Sequence, residues 1–250
     1  MAGEDFPWLE PGDYYPFPPP ETWEDDIVAV GGNLSPGLLL SAYAQGVFPW
    51  FNEGEEILWW SLDPRFVLYP DKLKISRSMR KVLRSGEFRV TVDRCFEDVI
   101  GHCGSVSRKG QDGTWISQDM KNSYLLLHKL GFAHSVEVWA EGVLAGGLYG
   151  ISLGRCFFGE SMFALKSNAS KTALIALTLW LDEKKFALVD CQQHTPHLGT
   201  LGAEDVPRSL FLEQLKEALQ FTTLEGNWSQ LFPGFPFSER WNALSEGARG

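Results

Sequence analysis

Residues 133–192 read "AHSVEVWAEGVLAGGLYGISLGRCFFGESMFALKSNASKTALIALTLWLDEKKFALVDCQ", and this stretch decides the fold. Three runs rich in β-branched and aromatic residues, "AHSVEVW", "VLAGGLYGIS" and "RCFFGESMF", are separated only by the turn signals "AEG" and "SLG". Short strand-like runs between tight turns predict an antiparallel meander. "NASKTALIALTLWLDEKK" carries apolar residues at the 3.6-residue period for about four turns, and "FALVD" follows as a further strand. Upstream, Ser117 is placed to cap a helix that stops at Gly131. Helix, three antiparallel strands, helix, strand is the order of an α+β sandwich with helices on a mostly antiparallel sheet.

Further towards the N-terminus, "GGNLSPGLLLSAYAQGVFPWF" places Ser35 at a cap and Pro36 at the first helical position, ahead of a short helix ending at Gly46. "EEILWWSLDPRFVLYP" reads as extended chain broken at Pro64, "FRVTVD" as a strand, and Phe96 to His102 as a helix followed by the flexible link "GSVSRKGQDG". A helix opening at Ser76 sets Met79, Val82 and Leu83 on one face and Arg77, Arg80, Lys81 and Arg84 on another. The aromatics of the proline-rich first 20 residues are expected to lie on the body.

The chain has 250 residues and a formal net charge of -10, enough length for one large domain or a small one packed on a larger. "TALIALTLWL", bounded by Lys171 and Asp182, is far shorter than the roughly 20 residues that span a bilayer. The acidic first residues do not read as a secretory signal, so a cytosolic protein is expected. Its four cysteines, Cys95, Cys103, Cys156 and Cys191, are irregularly spaced and expected to be reduced. The acidic balance argues against nucleic acid, but its distribution does not. Between Lys72 and Arg89 seven cations (Lys72, Lys74, Arg77, Arg80, Lys81, Arg84, Arg89) face one acid, Glu87, leaving -16 on the remainder. Mixed signs serve solubility without self-repulsion, so phosphate binding is the better account of this cluster.

The densest chemistry is "LVDCQQHTPH", 188–197. Cys191, His194 and His197 are three apart beside Asp190, but no second ligand cluster completes a zinc site, and no metal is expected. Two readings stand. The polar groups cap a strand, or alternation puts Asp190 and Gln192 on one face, about 7 Å apart, where a carboxylate can orient an amide. Such an amide can accept a hydrogen bond from an amine or donate to an oxyanion. Glu160, inside "CFFGESMF", is a carboxylate in aromatic surroundings, costly unless paired or liganding a cation. Trp50 and Trp115 adjoin turns, where rings stack bases or fill cores.

At this point the ordered set "GGNLSPGLLLSAYAQGVFPWF", "ILWWSLDPRFVL", "ISRSMRK", "GTWIS", "LGFAHSVEVW", "GGLYG", "FFGESMF", "NASKTAL", "LVDCQ" and "HLGTLGA" resembles the bacterial leucyl/phenylalanyl-tRNA protein transferases, from about Val30 to Leu219. The resemblance implies a small N-terminal domain, residues 1–66, and a GNAT (acetyltransferase-like) domain, residues 67–250. It implies transfer of leucine or phenylalanine, less readily methionine, from charged tRNA to the α-amine of proteins beginning with arginine or lysine, which marks them for degradation. Carried over by motif, Asp190 and Gln192 become the catalytic pair and Glu160 the carboxylate near the reacting amine. Trp50, Trp115 and Tyr124 would hold the tRNA's terminal adenosine. Phe157, Met162, Leu174, Leu177, Leu181 and Val189 would form the side-chain pocket, with Leu148 where a methionine is often found. No cofactor follows, since an aminoacyl ester is already activated. Residues 1–26 and the tail after Phe221, including "FPGFPFSERW", follow no pattern in the family.

Two other functions compete. The order of elements also suits an acyl-coenzyme A-dependent acetyltransferase, but "ALKSNAS" lacks the glycine-rich turn that binds pyrophosphate. A non-catalytic RNA-binding module would account for the basic helix and the tryptophans alone.

Overall fold

The computed structural model describes residues 6–105 and 116–231. Trp115, most of the link and the segment "FPGFPFSERW" lie outside these residues. In chain order the elements are β1 (Ile27–Val30), α1 (Pro36–Ala44), β2 (Phe48–Pro49), β3 (Leu58–Trp60), β4 (Arg65–Leu68), α2 (Arg77–Arg84), β5 (Arg89–Val92), α3 (Phe96–Ser105) and α4 (Gln118–Lys129). They continue with β6 (Ala133–Ala140), β7 (Val143–Leu153), β8 (Cys156–Ala164), α5 (Ala169–Glu183), β9 (Leu188–Gln192), α6 (Pro196–Gly199), β10 (Glu204–Val206), α7 (Arg208–Ala218) and α8 (Trp228–Leu231).

The meander is β6 to β8, and it sits in a seven-stranded sheet of order β10-β4-β9-β8-β7-β6-β5. Every neighbouring pair in it is antiparallel except β8 and β9, which α5 joins in parallel. The α+β class expected from the sequence is therefore the one observed. A second, three-stranded sheet of order β1-β3-β2 is built by the N-terminal residues. The expected division at residue 66 falls inside β4, which pairs with β9 and β10; the small sheet ends at Trp60.

Two cores hold the layers together. On one face of the large sheet, α5 buries Leu174, Leu177 and Leu181 against Val138, Leu148, Phe157 and Val189. This closeness depends on Gly146, where an added Cβ would stand 2.6 Å from that of Ala169. On the other face, Val99, Tyr124, Tyr149 and Phe158 form one continuous core with Leu38, Tyr43 and Trp59 of the N-terminal unit. Phe6, Tyr15 and Phe17 extend it as a chain of edge-on rings ending on Trp59. Both expected serine caps of α2 and α4 form, Ser76 and Ser117 accepting from the amides of Met79 and Met120. Ser35 stands at the cap of α1 but makes no side-chain cap bond, because Asn33 Oδ1 accepts from its amide and the hydroxyl is buried without a partner.

Candidate active site

The parallel ladder between β8 and β9 is short, pairing Cys156 to Phe158 with Leu188 to Asp190. Beyond it, Gly159 to Met162 of β8 and Cys191 to Gln193 line a cavity of about 460 Å³. A crevice at the carboxyl ends of strands is where open α/β sheets commonly bind ligands. Phe48, Pro49, Trp50 and Leu62 close this one from the N-terminal side, and Leu148, Phe157, Leu174, Leu177 and Val189 form an apolar end.

Two β-bulges aim the polar groups. On β8, Ser161 pairs with Tyr149 and Gly159 with Gly150, so Glu160 is the extra residue. On β9, Gln192 pairs with Phe66 and Asp190 with Val67, so Cys191 is the extra one. Bulges recur beside active sites because they redirect side chains. Gln192 is also left-handed, with φ 58, and the amide of Gln193 bonds Cys191 O at 2.7 Å across it. Alternation therefore fails at Gln192, which corrects the expectation that Asp190 steadies its side-chain amide. Asp190 Oδ1 instead accepts from the main-chain N–H of Gln192 at 2.8 Å, and the side-chain Nε2 donates to Glu160 Oε1 at 2.9 Å.

Asp190 is wholly buried and answered by Arg65, which donates from Nε to Oδ1 at 2.8 Å and from Nη2 to Oδ2 at 2.7 Å. The guanidinium lies between the rings of Phe48 and Phe211, 4.7 and 4.6 Å from their centroids. Glu160 has hydroxyls in place of a cation. Tyr43 of α1 donates to Oε1 at 2.7 Å and Tyr124 of α4 to Oε2 at 2.9 Å, while the two hydroxyls touch at 2.5 Å. Burial pushes the Glu160 carboxyl up to about 7, and Asp190 adds to the rise, against the donors from Tyr43, Tyr124 and Gln192. Proton counting agrees: three contacts among Tyr43, Tyr124 and Glu160 need three protons, and the hydroxyls supply two. The third is present when Glu160 is the neutral acid. Burial, and then the charge of Glu160, hold both tyrosines well above their ordinary range, so both remain donors.

Family comparison meets this geometry from the sequence side. The model of the leucyl/phenylalanyl-tRNA protein transferase family matches residues 67–216, and that of its N-terminal domain matches 32–63. The leucyl/phenylalanyl-tRNA protein transferase of Syntrophus aciditrophicus is 55% identical over 214 residues, covering 85% of this chain and 90% of its own. That of Maridesulfovibrio salexigens is 56% identical over 214 residues, 85% of this chain and 89% of its own. The chain belongs to the leucyl/phenylalanyl-tRNA protein transferase family. It is therefore an enzyme, a transferase. Solved structures align loosely: L-PGS from Bacillus licheniformis at 12% identity and TM-score 0.38, covering 64% of this chain and 57% of that one. A GCN5-related N-acetyltransferase from Kribbella flavida aligns at 12% identity and TM-score 0.37, covering 68% and 61%.

Against what membership in this transferase family implies, the structure gathers Glu160, Gln192, Trp50, Leu148, Phe157, Met162, Leu174, Leu177 and Val189 around one cavity. Three residues depart from their expected places, the first being Asp190, which is wholly buried against Arg65 and does not line the cavity. Tyr124 is wholly buried behind Glu160, so it offers a hydroxyl and has no ring face for an adenosine. Leu181 continues the stripe of Leu174 and Leu177 but is packed in the core, away from the cavity lining. Arg77, Lys81 and Arg84 are exposed on α2 with Arg80 beside them, and Lys74 is exposed ahead of the helix. Lys72 stands in the preceding turn, bonded to Glu204 at 3.0 Å. Arg65 and Tyr43 escaped the sequence reading; the one signal for Arg65 was a single cation inside the apolar run "RFVLYP". Among the described residues no group of His, Cys, Asp and Glu is placed to hold a metal, and no helix is long and apolar enough to cross a membrane.

Proposed function

We propose that this enzyme moves leucine or phenylalanine, less readily methionine, from charged tRNA to the α-amine of proteins beginning with arginine or lysine, marking them for degradation. Its place of work would be the cytosol, where charged tRNA is held. The names of its relatives support the reaction class. The observation that carries the chemistry is one cavity joining an apolar end to a carboxylate without a cation, Glu160, hydrogen-bonded to the amide of Gln192.

The transferred side chain occupies the apolar end, and its ester carbonyl lies at Gln192. Leucine, phenylalanine and methionine are all tolerated there, because one methylene in an apolar slot discriminates by only about 1–3 kcal/mol. The acceptor α-amine, with an ordinary pKa near 8, attacks in its neutral form, and the proton its nitrogen sheds on bonding carbon passes to ionised Glu160, whose carboxyl near 7 is matched to accept it. Gln192 Oε1 receives the amine's N–H, and the second hydrogen of Nε2 is directed to the oxyanion. The amine nitrogen attacks the carbonyl carbon, the C–O bond to the ribose breaks, and the departing oxygen takes the proton from Glu160. Asp190, filled by Arg65 and by a main-chain amide, positions Gln192 and takes no proton. Trp50 and Trp115 hold the terminal adenosine, and the cations of α2 with Lys74 and Lys72 meet phosphates without reading bases.

Purified protein is incubated, without added cofactor, with tRNA carrying labelled leucine, phenylalanine or methionine and peptides differing only in their first residue. Label is expected on peptides beginning with arginine or lysine. Transfer only from acetyl-coenzyme A, or tRNA binding without transfer, would overturn the reading.

A further inference from the structure

The segment after α7 carries a tryptophan that the chemistry above does not use. Trp228 is wholly buried, and everything around it fixes its orientation. Its main-chain N–H donates to Asp93 Oδ2 at 2.8 Å, and its indole N–H donates to Leu224 O at 2.9 Å. The same Asp93 oxygen bonds His134 Nδ1 at 2.9 Å, and the imidazole stacks on the indole at 3.6 Å and 7°. Two further stitches tie the segment to the body: Thr223 Oγ1 accepts from the amide of Gly154, and the amide of Gly226 donates to Gly131 O.

The indole also reaches Phe157, ring centroids 6.0 Å apart, and Phe157 is part of the apolar end of the cavity. Phe157 is also pressed on Gly150, where an added Cβ would stand 2.6 Å from the ring. A ring confined in this way has no other position, because a core at crystal-like density has no slack to give it. We propose that Trp228 is a specificity-determining residue acting through Phe157: by backing that ring it sets the depth of the slot that receives the transferred side chain. This rests on the reading of the apolar end given above. A smaller residue at 228 lets the ring retreat, and the added depth favours the longer phenylalanine over leucine.

The test uses the full chain and measures kcat/KM for leucyl- and phenylalanyl-tRNA in Trp228→Phe. The phenylalanine-to-leucine ratio is expected to rise about 10-fold, the lower end of what one methylene is worth in an apolar pocket. Trp228→Met is the second variant should the first not fold. Trp59→Phe, in the other sheet, should leave the ratio unchanged although that residue is also buried. Leu177→Ala, in the slot itself, should move it. If Leu177→Ala moves the ratio and neither variant at 228 does, Trp228 has no part in specificity. If Leu177→Ala leaves it unmoved too, the slot reading fails and the inference falls with it.

Discussion

Two buried carboxylates on neighbouring strands, Asp190 of β9 and Glu160 of β8, are treated in opposite ways. Asp190 has a bidentate arginine clamped between two aromatic rings and gives its remaining capacity to a main-chain amide. Glu160 has only neutral donors, and burial raises its carboxyl to about 7. A carboxylate with a permanent counter-ion is an anchor, because protonating it would strand the arginine. One surrounded by hydroxyls can change charge at neutral pH without stranding a counter-ion, which suits it to move a proton. The difference supports the proposed roles: Asp190 fixes the turn that carries Gln192, and Glu160 is the group free to do acid–base work.

Substitutions can break this contrast. The largest effect is expected from Glu160→Gln, which should lower single-turnover transfer by about 10²- to 10⁴-fold, the usual contribution of a positioned base. Binding of charged tRNA, followed by filter retention, should be unchanged. Next is stability. Arg65→Met leaves Asp190 buried without its cation and should cost about 3–5 kcal/mol in urea denaturation. Glu160→Gln should cost far less, since no cation is stranded; equal losses would erase the distinction between the two sites. The smallest effect is expected from Tyr43→Phe. It removes a donor that favours the ionised carboxylate, so the rising limb of the pH profile should move upward by about one unit while the plateau stays within severalfold. A downward shift would show that Tyr43 does not serve Glu160.

The large elements were legible because their periods are local. The runs between Ala133 and Ala164 are short, apolar and bounded by tight turns, and α5 is apolar at helical spacing, so sheet and helix could be read from 133–192 alone. The carboxylates and the amide stood out by type. Their partners did not, because Arg65 lies 125 residues from Asp190 and Tyr43 lies 117 from Glu160, with only the fold bringing them together. The bulges at Glu160 and Cys191 are properties of strand pairing, visible only once the register is known. Hence alternation misplaced the side chain of Gln192. Tyr124 failed for a related reason: its helix is amphipathic, and nothing local says that this position faces a buried acid and not a groove.

The central claim, that Glu160 takes the proton and Asp190 does not, is tested most directly by the pH dependence of kcat/KM for an arginine-started peptide, in the unmodified enzyme and in Glu160→Gln. Transfer by the unmodified enzyme is predicted to rise through about pH 7 as Glu160 ionises. In the variant that limb should vanish, leaving a much slower rise near the peptide amine's own pKa of about 8. A limb near pH 7 that persists unchanged in Glu160→Gln would contradict the account.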